Sequence, residues 1–283
     1  MISVLAVLKY LPKMPFITIK KTLIKIFSAL CIFSVLAIQI SNCEAAQVKK
    51  IVFGTDIYPP YVLVNEQGKL TGIDCELAEE AGKRMGFRPE FVVIDWAKKK
   101  DLLQSGEIDG IWSCFTMSGR ENDFTWAGPY LGSNQSVLVK NDSDIYKLSN
   151  LNGRSLCVQN TTVPDSIFEG GYKVNKTLPV LSELVIFSTI EDCLAALRQN
   201  GCDAVAAHEE ALLFTVNEGG YRILEEPLET VGIGVAFRGN NSYFADSLTK
   251  TFDQMRKEGF IKRIVKKYHL RYHEPPELSQ RSK

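Results

Sequence analysis

Arg120 has the clearest chemical setting in this chain. It ends the run DGIWSCFTMSGR, residues 109–120. In that run Ile111 to Phe115 is continuous enough in apolar character for a buried strand, and Met117, Ser118 and Gly119 supply a turn. A strand end that delivers one guanidinium into a loop of small residues suits capture of a planar anion, because the arginine fork meets a carboxylate two bonds at a time. Spacing alone is equally compatible with a surface arginine flanked by Glu121 and Asp123. Other polar and aromatic candidates fall at the ends of apolar runs. Asp56 and Tyr58 follow KIVFGT, Trp96 follows FVVI, and Ser113 and Thr116 flank the turn before Arg120. Thr161 and Thr162 follow the run ending at Gln159. Such positions matter because open α/β sheets bind ligands at the carboxyl ends of their strands.

The elements that must hold these residues read as two successive α/β units. Lys50–Thr55 reads as a buried strand, Asp56–Tyr61 as a loop forced by two prolines, and Leu63–Leu70 as a hairpin-like turn. A helix from Ile73 to Phe87, a strand at Phe91–Ile94 and a short helix at Trp96–Ser105 precede the strand after Asp109. The pattern restarts with strands at 135–140 and 154–159, a turn at 148–153 and a helix opening at Asn160–Thr162. It continues with a strand at 185–187, a helix at 190–199, and strands at 203–207 and 231–237. Helices at 246–258 and 261–268 follow, and the polar, proline-bearing stretch past Leu270 is expected to fray. Strand and helix alternation of this kind predicts parallel sheets.

The 283 residues carry 33 basic and 33 acidic side chains, so net charge gives no support for a nucleic-acid or membrane-surface partner. Seven cysteines occur without a Cys-x-x-Cys pair, which argues against a zinc site, and no cofactor or metal is expected. Cys31 and Cys43 lie in the leader. The other five are an odd set, read mostly as small apolar residues, with one disulfide open in an oxidising compartment. Residues 1–46 carry the parts of a secretory signal: Lys20, Lys21 and Lys25, an apolar run from Ile26 to Ile40, and small residues near Ala45 and Ala46. The sequence before Cys43 also resembles a lipoprotein box, with Asn42 where Gly or Ala is usual. A periplasmic or extracellular location follows, with membrane attachment only through a lipid at Cys43.

The DGIWS strand, the hydroxyl-rich turn, Arg120 and the segment FTWAGPY together resemble the family 3 bacterial extracellular solute-binding proteins. The likeness covers nearly all of residues 50–270. It implies a type II periplasmic-binding-protein fold with two α/β lobes joined by a two-strand hinge. Lobe 1 would be 47–134 plus 230–272, lobe 2 135–229, and 273–283 a polar tail. It also implies a monomeric receptor for an ABC importer that captures an amino acid or related carboxylate by hinge closure, has no catalytic role, and docks on a membrane permease. Carried over residue by residue, Tyr58 and Trp96 would sandwich the ligand, Asp56 would meet a polar ligand side chain, and Arg120 would clamp the α-carboxylate. Amides around Ser113–Met117 and the loop VQNTT would assist, with Thr162 the expected second donor beside Thr161. Phe115 stands where many members carry a hydroxyl, with Thr116 adjacent. The sharpest departure is His208, where the family's D-A-V-x-x-D supplies an aspartate for the ligand ammonium. Either Glu209 substitutes, or the ligand is not an ordinary α-amino acid. An enzyme on the same scaffold, of the cyclohexadienyl-dehydratase kind, would use His208 and Glu209 as acid and base. A sensory binding protein is the third reading.

Overall fold

A computed structural model describes residues 48–217 and 219–276. The leader, with its signal-peptide and Cys43 assignments, and residues 277–283 lie outside the described residues. The fully buried strand β5 (Gly110–Thr116) runs through the middle of one half of the molecule. Parallel to it lies β1 (Lys49–Thr55), which in turn pairs with β4 (Phe87–Val93) along its whole length. Pro89 is tolerated in β4 because β4 is the end strand, where a missing ladder donor costs little. Between β1 and β4 come the short hairpin β2 (Leu63–Val64) and β3 (Leu70–Thr71) and helix α1 (Ile73–Met85). A 3₁₀ turn at Trp96–Lys98 runs into α2 (Lys99–Ser105), which Gly106 ends in a left-handed cap.

Strand β6 (Thr125–Lys140) is 16 residues long and fuses the aromatic segment with the predicted strand at 135–140. Its first part pairs antiparallel with β11 (Glu229–Phe237), and from Gln135 onward it pairs with β9 (Ala204–His208). β7 (Ser155–Gln159) lies between β9 and β8 (Glu183–Phe187), parallel to both. The sheet order is therefore β4-β1-β5-β11-β6-β9-β7-β8, with β10 (Tyr221–Ile223) added on β6. Two parallel α/β lobes flank a central antiparallel pair, β6 and β11, which forms the two-strand hinge. Helices α3 (Val163–Phe168) and α4 (Ile190–Arg198) belong to the second lobe. Helix α5 (Glu209–Val216), like β10, was not legible in the sequence. Its apolar residues do not concentrate on one stripe, so periodicity gave no signal. Helices α6 (Ser242–Lys257) and α7 (Phe260–Lys267) return to the first lobe.

Aromatic packing organises the first lobe. Trp112 is fully buried, with its ring edge-on to Phe53 at 5.2 Å and Phe252 at 5.5 Å. Asp74, at the start of α1, is buried beneath β5. Its Oδ2 accepts the Cys114 N–H at 2.7 Å and its Oδ1 the Tyr130 O–H at 2.7 Å. Cys114 sits at φ 47, a left-handed conformation that disfavours a side chain, and the Asp74 bond holds it there. The five cysteines from Cys75 to Cys202 are buried free thiols.

The stretch after Leu270 does not fray as far as Pro276. Instead it crosses the hinge, where the Gly132 N–H donates to the His273 carbonyl at 3.1 Å. An added Cβ at Gly132 would come within 2.2 Å of the Glu274 carbonyl oxygen, and neither backbone can yield cheaply. Gly132→Ala is therefore expected to displace this segment and lower stability by about 1–3 kcal/mol. Urea unfolding checks this, and an unchanged midpoint would mean that the crossing contributes nothing.

Candidate functional site

The cleft between the lobes encloses about 360 Å³, part of it open to solvent. Nine of the ten expected residues line it: Asp56, Tyr58 and Trp96 from the first lobe, Ser113, Thr116 and Arg120 from β5 and its turn, and Thr161, Thr162 and His208 from the second lobe. Glu209 does not. Its carboxylate accepts from Asn134 Nδ2 at 2.7 Å and Ser136 Oγ at 3.3 Å, which turns it toward the hinge strand β6. Glu209 therefore does not stand in for the missing aspartate.

Arg120 is half-buried rather than a surface ion pair. Its Nη1 donates to the Thr116 carbonyl at 3.4 Å and its Nη2 to the Thr161 carbonyl at 3.2 Å, across the cleft. The guanidinium lies 5.4 Å from the centre of the Phe115 ring. Phe115 thus gives the arginine a flat floor where a hydroxyl was expected. Trp126 Nε1 donates to the Arg120 carbonyl at 3.0 Å and fixes the loop. Burial lowers the guanidinium pKa, with Asp123 acting the other way.

Lys99 was not anticipated. It is only 6% exposed, and its Nζ donates to the Trp96 carbonyl at 3.1 Å and to Thr161 Oγ1 at 2.6 Å. It also stands 4.6 Å over the Trp96 ring, so one face of the expected ligand-stacking tryptophan is taken by the protein's own cation. Burial, then the Arg120 charge, bring its pKa down to about 7. Nothing in KKK at 98–100 distinguishes the inward lysine from its solvated neighbours; only the helix phase does.

The expected amide and helix donors are largely used elsewhere. The Cys114 N–H goes to Asp74, and the Met117 N–H to the Gly232 carbonyl at 2.8 Å. Helix α3 has only six residues, and Asp165 Oδ2 in its first turn accepts the Thr161 N–H at 2.7 Å. That bond keeps Thr161 at φ 58, a conformation a glycine would adopt freely. Thr162, expected as the second donor, gives its hydroxyl proton to the Gln159 carbonyl at 2.6 Å. Thr161 Oγ1 accepts from Lys99, so its own proton remains free to donate. Lys99 and Thr161 thus exchange places with Thr162 as the better-placed donor pair.

Asp56 is held at both oxygens. Oδ1 accepts the Ile57 N–H at 2.8 Å and Oδ2 the Gln159 Nε2 at 2.6 Å. Its pKa is raised, chiefly by burial, with the Gln159 bond opposing. Ser113 Oγ accepts the Asp56 N–H at 3.0 Å, which ties the end of β1 to β5. Gln159, the second residue of VQNTT, thus spans the cleft.

His208 is 8% exposed and closes the second-lobe wall. Its backbone N–H donates to Tyr58 Oη at 3.3 Å, and its Nε2 lies 3.2 Å from Thr116 Oγ1. Ser133 Oγ lies 2.8 Å from Nδ1, and the same hydroxyl donates to Glu210 Oε2 at 2.5 Å. Because that proton goes to Glu210, Nδ1 must carry the ring hydrogen and donate to Ser133. Nε2 is then the acceptor facing Gln135 Nε2 at 3.0 Å. Burial, then Arg120, hold the imidazole pKa down to about 3, so the ring is neutral.

Among the described residues no helix is long and apolar enough to cross a membrane. Residues 51–271 match the model of the bacterial extracellular solute-binding proteins, family 3. The chain is 28% identical over 250 residues to the histidine-binding periplasmic protein of Salmonella typhimurium, covering 85% of this chain and 95% of that one. It is 27% identical over 225 residues to the glutamate-binding protein GluB of Corynebacterium glutamicum, covering 73% and 74%. Among solved structures, an ancestral arginine-binding protein bound to glutamine superposes with a TM-score of 0.68 at 25% identity, covering 77% of this chain and 97% of that one.

Proposed function

Because the chain belongs to the bacterial extracellular solute-binding proteins, family 3, we propose that it captures one small carboxylate between its lobes and hands it to the permease of an ABC importer. Lobe 1 is assigned to 47–134 plus 230–272 and lobe 2 to 135–229, in keeping with the change of partner on β6 at Gln135. The protein works outside the cytoplasm as a monomer, after loss of leader 1–46 or with a lipid at Cys43, and it does not turn its ligand over. The observation that carries this reading is Arg120. It is a cleft guanidinium whose own hydrogen bonds, among the described residues, go to two carbonyl oxygens, so a carboxylate can replace both with charge-assisted bonds. Relatives named for histidine and glutamate binding support a small organic ligand and leave its identity open. Ligand-driven closure follows if the carboxylate bridges Arg120 and the Thr161 hydroxyl, since only the closed form offers both.

A thermal-shift screen of small carboxylates and amino acids tests this. A ligand at one hundred times its Kd adds about 2.7 kcal/mol to stability and raises the melting temperature by several degrees. The affinity of that ligand is expected to fall as pH rises through about 7, because Lys99 loses its proton there. Losing a charge near the bound anion removes about 1 kcal/mol, or roughly fivefold in affinity. If no carboxylate shifts the melting temperature, the receptor reading fails.

A further inference from the structure

The amino-group corner of this cleft is built without charge. In an amino-acid receptor of this design the ligand ammonium needs an anionic neighbour, because a buried cation without one carries a heavy desolvation penalty. Here the corner is formed by His208 and Thr116, and among the described residues the side chains hydrogen-bonded to or packed edge-on against the His208 ring are Thr116, Ser133, Gln135, Tyr58 and Tyr61, all neutral. Gln135 is fully buried, and its Oε1 has no donor among the described residues.

Glu210 stands one hydroxyl away from the ring. Ser133 stands between it and the ring, so Glu210 acts on the cleft only by fixing which ring nitrogen carries hydrogen. Asp56, the carboxylate on the cavity wall, already holds Ile57 N–H and the Gln159 amide. Meanwhile Arg120 and Lys99 place two cations beside Thr161, each bonded only to neutral oxygens. A third positive charge there would be repelled by both. A hydroxyl suits the same corner better. It brings no charge, donates to Thr116 Oγ1 and also accepts from that hydroxyl, beside a neutral imidazole whose Nε2 already faces Gln135, and an ammonium cannot accept.

We propose that the natural ligand is a 2-hydroxy carboxylate, with its carboxylate on Arg120 and its hydroxyl in the uncharged corner at His208 and Thr116. This rests on the receptor reading and narrows it. Calorimetric titration against pairs matched in carbon skeleton tests it: lactate with alanine, malate with aspartate, and 2-hydroxyglutarate with glutamate, all L. The hydroxy member of at least one pair is expected to bind at least about tenfold more tightly than its amino partner. His208→Asp is expected to invert that order, since it restores an anion in the corner. The native comparison stands alone if that variant does not fold. Tighter binding of the amino member in every pair overturns the inference and leaves the receptor reading intact. Binding of no member of any pair while another carboxylate or amino acid raises the melting temperature overturns the inference alone, and a screen in which nothing raises it overturns the receptor reading as well.

Discussion

Replacing Arg120 with alanine is expected to abolish capture of whichever carboxylate raises the melting temperature, while the fold survives. The side chain is half-buried and its two guanidinium bonds reach only the carbonyls of Thr116 and Thr161, so its removal strands no buried partner of opposite charge. The bound anion, by contrast, would lose its fork and remain partly desolvated between Lys99 and the Phe115 floor. Truncating one member of such a pair costs about 2–5 kcal/mol, between about thirtyfold and several-thousandfold in affinity. Arg120→Lys keeps the charge and loses the second parallel bond, so it should fall between the two. Calorimetry decides the matter. Native affinity in the alanine variant would mean that the carboxylate is held elsewhere.

The second large effect is structural. Asp74→Ala is expected to destabilise the fold by about 2–6 kcal/mol, because it leaves the buried Cys114 N–H and Tyr130 O–H each without an acceptor. For a chain of this size the melting temperature should drop by roughly 5–20 °C. The loss should reach the cleft too, since Asp74 holds Cys114 in its left-handed conformation directly before the residues that lead to Arg120. The same residue carries a pH signature. Burial raises the Asp74 pKa to about 7, with the hydrogen bonds from Cys114 and Tyr130 acting the other way. A carboxyl that keeps its proton when folded and releases it when unfolded favours the native state most strongly below the ordinary carboxylate range. That contribution fades as pH rises toward about 7. Unfolding midpoints measured across this range should show the slope in the native protein and not in Asp74→Ala. An alanine variant with unchanged stability would show that the two buried donors find other partners.

Much of this architecture was legible because Ile111–Phe115 in β5 and Ile51–Phe53 in β1 read as near-continuous apolar runs, which marks parallel strands covered on both faces. The cleft residues could be anticipated because strand ends in such sheets face the ligand. What sequence could not give was the competition among neighbours. Nothing at the level of spacing says that Thr162 spends its proton on the Gln159 carbonyl, that Asp165 takes up the Thr161 N–H, or that Lys99 rather than Lys98 or Lys100 turns inward. His208 was recognised as a departure, but its meaning depends on Ser133, which lies 75 residues away in sequence. The fraying expected after Leu270 failed for a similar reason: polar composition hides the fact that Gly132 offers a flat landing place on β6.

The carbonyl oxygens of Thr116 and Thr161 already occupy both branches of the arginine fork. They behave as built-in decoys and set an entry threshold. A sugar hydroxyl or an uncharged amide offers Arg120 no stronger acceptor than the peptide oxygens it would displace, so the exchange yields nothing. Only a solute with formal negative charge improves on the incumbents. If Arg120 holds the ligand as proposed, discrimination against neutral solutes would rest in part on these main-chain acceptors.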